Sequence, residues 1–170
     1  MQTNQPLVSI IINCFNGEKY LNEALTSVVN QSYKNWEVIF WDNQSTDNSA
    51  KIYKAYRESR FKYFYAKEHT SLYQARNLAI ENSNGELISF LDTDDMWVNN
   101  KLELQVPLFK EQDIGVVFSN LWLLKKDKKN KKLYSNQKLL SGRIYNELIK
   151  NYNVGLGTTI IKKFYYTNLK

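Results

Sequence analysis

A chain of 170 residues that is 43% hydrophobic and 14% aromatic can bury one globular core without a disulfide or metal staple, which excludes a disordered chain. Its one cysteine, Cys14, excludes an internal disulfide and points to a reducing, cytoplasmic compartment. The formal net charge of +6 is concentrated in Lys125–Lys132, six lysines against one aspartate, so the broad basic face that nucleic-acid binding needs is not expected.

In chain order, Met1–Pro6 is short and polar and lacks signal-peptide character. Leu7–Asn13 is a β-branched apolar run, the pattern of a strand buried on both faces. After a turn at Asn16-Gly17, Leu21, Ala24, Leu25, Val28 and Val29 recur at helical spacing over Tyr20–Val29. Trp36–Trp41 is a second strand, and Asp47 reads as the N-cap of a helix running to about Arg57. Phe61–Ala66 is a third strand, Leu72–Glu81 a helix ended by Asn84-Gly85, and Leu87–Leu91 a fourth strand. Lys101–Phe109 is a short helix with a soft boundary at Pro107.

Val116–Lys126 and Lys132–Gln137 read as a hairpin with the lysine run at its tip. That run is first a solvated tip and second a peripheral contact to anionic lipid at the inner face of a membrane. Val116–Leu124, interrupted by Ser119 and Asn120, is too short to span a bilayer. Thr158–Lys163 is a last strand candidate.

Repeated strand–helix–strand units imply an α/β fold with a mainly parallel sheet covered on both faces. Ligands of such sheets bind beyond the carboxyl ends of the strands. Three strands end in polar groups: Asn13 with Cys14, Phe15 and Asn16; Asp42 with Asn43; and Asp92 with Asp94 and Asp95. Three aspartates directly after an apolar strand repel one another strongly, and a hard divalent cation relieves that repulsion. Mn²⁺ or Mg²⁺ prefers such oxygen ligands and keeps positions open for a diphosphate. Simple helix capping would need only one of them. Asp42 fits either a ribose or base contact or a turn. Arg76 fits either a phosphate or carboxylate pairing or an ordinary surface position. The single glycine after the first strand, Gly17, argues against a dinucleotide fingerprint. Nothing in the spacing of His69 and Cys14 specifies a catalytic pair.

The ordered set Leu7–Asn13, Tyr20-Leu21, Gln31-Ser32-Tyr33, Trp36–Ile39, Asp42–Asp47, Ala75-Arg76-Asn77, Gly85–Ile88 and Asp92–Asp95 resembles the opening of family 2 glycosyltransferases. It covers about Pro6–Leu102. The resemblance implies a GT-A fold, a Rossmann-like sheet, and inverting transfer of a sugar from a nucleotide donor, usually UDP-linked. It implies that Cys14, Phe15 and Asn16 line the base pocket, that Asp42 contacts the base and that Arg76 sits near the nucleotide. It further implies that Asp92, Thr93 and Asp94 form the donor-binding motif and that Asp94 or Asp95 meets the metal.

Residues 1–170 thus read as one GT-A-type domain, with 1–102 as nucleotide-binding core and 103–170 as a partial acceptor-side region. The expected donor is a nucleotide sugar and the acceptor a saccharide or lipid-linked hydroxyl, in cell-surface polysaccharide synthesis. Two departures qualify this. Glu68-His69-Thr70-Ser71 lacks the glycine turn common in the family. The Glu-Asp pair that supplies the family's base does not follow Thr158–Lys163, and after Leu121 the only acids are Asp127 and Glu147. The catalytic base is therefore unassigned. The alternative reading is a truncated fragment that binds donor without transferring.

Overall fold

The computed structural model describes residues 5–111, 113–124, 130–150 and 154–167. Strand β1 (Val8–Cys14) leads to helix α1 (Glu18–Val29), β2 (Trp36–Asp42), α2 (Ser49–Lys54), β3 (Phe61–Tyr65), α3 (Leu72–Glu81) and β4 (Leu87–Phe90). Then come α4 (Lys101–Gln105), a 3-10 turn over Val106–Lys110, β5 (Val116–Val117), β6 (Trp122–Leu124), β7 (Lys131–Leu133) and α5 (Tyr145–Lys150). A second 3-10 turn, Leu156–Thr158, precedes β8 (Ile160–Lys162) and α6 (Lys163–Thr167).

Six strands form one sheet in the order β3-β2-β1-β4-β8-β5. The first four are parallel, while β8 runs antiparallel to both β4 and β5. Alternation along β1 and β2 divides the core. Ile10, Ile12, Val38 and Phe40 pack with Leu21, Leu25, Tyr53 and Leu102 on one face. Ile11, Ile39, Trp41, Ile88 and Phe90 pack with Ala75, Ala79 and Ile80 of α3 on the other. Each large side chain taken fully from water contributes about 1.5–3 kcal/mol, so this two-sided burial dominates the stability.

Two expectations need correction. The hairpin does not begin at Val116: Val116-Val117 joins the main sheet, and the two-stranded ribbon is Trp122–Leu124 with Lys131–Leu133. Leu121, Ser119 and Asn120 separate the two, because Asn120 turns its side chain onto Ser135 and Leu121. The expected helix Lys101–Phe109 holds α geometry only to Gln105 and tightens to 3-10 around Pro107, which lacks the N–H that an α turn would use. Residues 125–129 of the lysine run lie outside the described residues.

At the amino ends of the parallel strands one carboxylate ties all four together. Glu37 on β2 is buried and accepts from Ser9 Oγ of β1 (2.6 Å), Lys62 Nζ of β3 (2.5 Å) and the Asn84 N–H before β4 (2.6 Å). Ser9 Oγ in turn accepts from the Gly85 N–H, where the chains pass so closely that a Cβ on Gly85 would lie 2.6 Å from Ser9 N. Burial alone would raise the Glu37 carboxyl, but the hydrogen bonds and the Lys62 charge outweigh it and hold it below the usual range.

Beyond β4, three side chains hold three successive carbonyls of the 155–159 loop. Trp97 Nε1 donates to Gly157 O (3.0 Å), Gln105 Nε2 to Thr158 O (3.0 Å) and Ser89 Oγ to Thr159 O (2.6 Å). Lys101 Nζ donates to Ser89 Oγ (3.2 Å) and lies 4.2 Å from the centre of the Trp97 ring. Among the described residues Lys101 has no carboxylate partner, and burial pushes its amine down to about 7.

Two outcomes follow for stability. Glu37→Ala strands Ser9 Oγ and the Asn84 N–H in a buried site and should cost about 3 kcal/mol, read from the urea midpoint at pH 7. Because the folded carboxyl titrates lower than the unfolded one, its contribution is present above the unfolded value and is lost as pH falls through the folded value. Lys101 has the opposite consequence. With a folded value near 7 and a free value of 10.5, the unfolded state binds the extra proton between them, so stability rises with pH across that window. Lys101→Met should therefore stabilise the protein by at least about 1 kcal/mol more at pH 6.5 than at pH 9 in urea titrations.

Candidate active site

Parallel pairing sets β1, β2 and β4 side by side with their carboxyl ends on one edge, where Asn43 N donates to Cys14 O (2.8 Å) and Leu91 N to Ile11 O (3.0 Å). The residues singled out in the sequence gather there. Asn16 adopts a left-handed backbone (φ 54°), and its Oδ1 accepts from the N–H groups of Thr46 (2.8 Å) and Asp47 (3.3 Å). Asp47 accepts from the N–H groups of Glu18 and Ser49, the first residues of α1 and α2, so it satisfies one N–H at the start of each helix; the N-cap position of α2 is Asn48 rather than the expected Asp47, and α2 ends at Lys54 rather than near Arg57. Phe15 is exposed and meets the ring of His69 edge-on at 4.4 Å. His69 Nδ1 lies 2.8 Å from Asn43 O, and the Cys14 thiol contacts Ser45 Oγ, so these two residues make no pair with each other in the observed bonding. Burial, ahead of opposing hydrogen bonds, raises the Cys14 thiol.

Asp42 is fully buried. Its oxygens accept from Ser45 N–H (2.7 Å) and Tyr63 O–H (2.6 Å), so in this structure it orders the loop after β2 and offers no oxygen to solvent. Burial, reinforced by this bond to the carboxylate, drives the Tyr63 phenol well above its ordinary range. One residue earlier and on the opposite face of the sheet, Asn13 Nδ2 and Trp41 Nε1 are buried donors without an acceptor among the described residues, on residues paired across β1 and β2. Two neighbouring unsatisfied donors at one edge are rare in a native interior and suit an acceptor from water or ligand.

The acidic loop divides its work. Arg76 of α3 reaches over the Phe90 ring, and its Nη2 meets Asp92 Oδ1 at 3.1 Å. With the Arg76 and Asp92 side chains 18% and 48% exposed, the pair adds at most about 1 kcal/mol; its effect is to fix where Asp92 points. Asp94 and Asp95 are exposed, and among the described residues no donor pairs with either carboxylate. Although Asp95 is exposed overall, partial burial of its carboxyl end against the loop at Gly157, and then the charges of Asp92 and Asp94, raise it.

The three carboxylates do not converge: among the described residues no three His, Cys, Asp or Glu side chains are grouped to hold a metal ion. The donor set still fits a hard divalent ion. Mg²⁺-like ions are commonly held by one or two carboxylates and completed by substrate phosphates and water, and Asp94 and Asp95 are two unpaired oxygen donors on a loop open to solvent.

Sequence reasoning missed the walls of this site. A Cβ on Gly17 would lie 2.8 Å from Thr93 Oγ1, so the first loop packs directly on the acidic one. A Cβ on Gly157 would lie 3.3 Å from Asp95 Oδ2, which sets the 155–159 loop against Asp95. The two glycines are visible in the sequence, but these contacts join residues far apart in the chain and leave no local pattern. A cleft of about 770 Å³ lined by Pro6, Tyr33, Leu87, Val106 and Phe109 lies at the amino ends of the strands and shares no residue with the acidic loop. Titratable chemistry, not volume, marks the site.

The sequence model of glycosyl transferase family 2 matches residues 9–165. The chain is 32% identical over 157 residues to UDP-Glc:alpha-D-GlcNAc-diphosphoundecaprenol beta-1,3-glucosyltransferase WfgD of Escherichia coli, covering 92% of this chain and 60% of that protein. It is 31% identical over 163 residues to the putative teichuronic acid biosynthesis glycosyltransferase TuaG of Bacillus subtilis, covering 94% and 63%. Among solved structures, S. aureus TarS 1–349 in complex with UDP-GlcNAc superposes with a TM-score of 0.72 at 21% identity, over 95% of this chain and 47% of that one. The mannosyltransferase PcManGT of Pyrobaculum calidifontis, in complex with GDP-Man and Mn²⁺, gives 0.74 at 19% identity, over 98% and 47%. The chain thus spans about 60% of the length of these curated relatives and about half of these solved chains. Its mainly parallel sheet is the GT-A fold, and the chain belongs to glycosyl transferase family 2.

Proposed function

We propose that this chain binds a nucleotide sugar, UDP-linked, at the carboxyl edge of β1, β2 and β4, and that the whole protein transfers the sugar with inversion to an acceptor hydroxyl in cell-surface polysaccharide synthesis. The observation that carries the reading is the acidic loop, with Asp92 clamped by Arg76 while Asp94 and Asp95 stand unpaired at the open edge. The relatives lend support: TarS was solved with UDP-GlcNAc, and the name of WfgD gives a UDP-glucose donor and a lipid-linked acceptor.

In this reading residues 1–102 form the donor half and 103–170 part of the acceptor side. Cys14, Phe15 and Asn16 border the base, with the exposed Phe15 ring as a stacking surface and the free donors of Asn13 and Trp41 as hydrogen-bond partners. Asp42 holds the loop that shapes this pocket and reaches a base only by releasing Ser45 or Tyr63. Asp92 and Thr93 face the ribose and donor sugar, and Arg76 keeps Asp92 in register. Asp94 and Asp95 hold Mn²⁺ or Mg²⁺, which neutralises charge on the departing diphosphate. The acceptor is a saccharide or lipid-linked hydroxyl, met on the cytoplasmic side of a membrane. Among the described residues no helix is long and apolar enough to cross one.

A second reading, donor binding without transfer, is favoured by one observation. Of the two acids after Leu121, Glu147 stands on the exposed helix α5, and Asp127 lies outside the described residues. Glu147 is exposed on a short helix with no buried residue, and a general base must touch the hydroxyl it activates.

Calorimetry with UDP, GDP, UDP-Glc and UDP-GlcNAc, with Mn²⁺ and with EDTA, tests the proposal. UDP should bind only with metal, and Asp94→Asn with Asp95→Asn should weaken it at least about tenfold, or about 1.4 kcal/mol. Arg76→Ala should weaken binding similarly while changing the unfolding free energy from urea titration by less than about 1 kcal/mol. Equal binding in EDTA would remove the metal from the account. Absence of nucleotide binding would remove the donor site. Sugar transfer by these 170 residues would exclude the binding-only reading.

A further inference from the structure

The ribbon β6–β7 stands apart from the main sheet as a separate two-stranded sheet, and its apolar residues face water. Trp122, Leu123 and Leu124 are 48%, 50% and 46% exposed, whereas Trp36, Trp41 and Trp97 are 1%, 9% and 7%. Three consecutive exposed apolar residues break the alternation of a solvated strand, and a ribbon this short is marginal in water by itself. Its base is nonetheless well held. Asn120 bonds both the N–H and the carbonyl of Ser135, and Tyr134 N donates to Leu121 O (2.9 Å).

Lysines interleave with this apolar surface. The register sets Leu124 opposite Lys131 and Leu123 opposite Lys132, and Lys131 Nζ lies 4.7 Å from the centre of the Trp122 ring. In the sequence, Lys125, Lys126, Lys128 and Lys129 join the two strands with only Asp127 against them. Protein-binding cores are depleted in lysine, so a partner protein is a poor match for this mixture. An anionic bilayer matches each part: Trp and Leu enter the headgroup boundary, and lysine stems lie along apolar surface while their ammonium groups meet phosphates.

The ribbon also has a fixed relation to the acidic loop. A Cβ on Gly155 would lie 2.8 Å from Leu121 Cδ2 at the ribbon's base, and two residues on Gly157 packs against Asp95. One short loop therefore carries both.

We propose that the β6–β7 ribbon docks on an anionic phospholipid surface, with Trp122–Leu124 in the headgroup layer and Lys131 and Lys132 on lipid phosphates, holding the rim of the acidic loop at the membrane. This does not depend on the nucleotide reading, because docking needs neither nucleotide nor metal.

The burial of the other three tryptophans makes Trp122 a native reporter. Vesicles of phosphatidylglycerol and phosphatidylcholine (about 3:7) and of phosphatidylcholine alone are added to the chain without nucleotide or metal, with emission and co-sedimentation recorded. The expected result is a blue shift and quenching by brominated acyl chains with the anionic vesicles only, reversed by about 0.5 M salt. Lys131→Gln with Lys132→Gln should lower apparent affinity about tenfold or more. Leu123→Ser with Leu124→Ser should lower it even at low salt, with the circular dichroism spectrum unchanged. Trp122→Phe should remove the emission change but keep co-sedimentation. Any of four results overturns the proposal: no co-sedimentation, equal binding to neutral vesicles, anionic binding without Trp122 quenching, or a Trp122 shift produced by single-stranded RNA and not by vesicles. Trp122 emission already blue-shifted in buffer, with a sedimenting dimer, would instead assign the ribbon to self-association.

Discussion

Glu37 is where the four parallel strands are tied. A buried carboxylate with donors from β1, β3 and the entry to β4 fixes their relative heights at the amino ends. Since each strand rises about 3.3 Å per residue, register set at one end sets how far each strand reaches at the other. The distance between Cys14, Asp42 and the acidic loop is therefore decided at Glu37, on the far side of the sheet from the chemistry. A slip of one residue would turn Ile11, Ile39 and Ile88 to the wrong face, so register and core burial enforce each other.

At the carboxyl edge, charge is distributed rather than pooled. Asp92 is neutralised by Arg76, which leaves Asp94 and Asp95 as the open carboxylates. An ion pair this exposed contributes little to folding, so its value is orientation. The 155–159 loop closes the same edge from the other side, held by Trp97, Gln105 and Ser89 with Lys101 behind them. Keeping a lysine there with no carboxylate partner among the described residues lowers stability near neutral pH, a cost the protein bears in the element joining its acidic loop to its last strand.

Much of this was legible in the sequence. Leu7–Asn13 and Leu87–Leu91 read as buried strands because both faces of a parallel sheet are covered, and their apolar runs end abruptly in polar residues. The acidic cluster was legible for the same reason. Asp92 was not separable from its neighbours, because its pairing with Arg76 depends on α3 crossing the face that Phe90 shares. Asp42 carries two plausible roles in sequence, and only the fold shows its oxygens turned to Ser45 and Tyr63. Val116-Val117 looked like part of the hairpin, since a two-residue strand has no period of its own and its partner, β8, lies over 40 residues away. Glu37 interrupts the apolar run Trp36–Trp41, but nothing local names the donors that satisfy it, and Lys101 sits in a mixed-polarity stretch that does not mark it as buried.

The central claim is that Asp94 and Asp95 carry a divalent ion that receives the diphosphate of a nucleotide. Crystals grown with UDP and Mn²⁺ and measured at the manganese absorption edge test this directly. The expected result is one anomalous peak within bonding distance of an Asp94 or Asp95 oxygen, with diphosphate density on its open side and the base against Phe15. A manganese peak elsewhere, or UDP bound away from the acidic loop, would contradict the account.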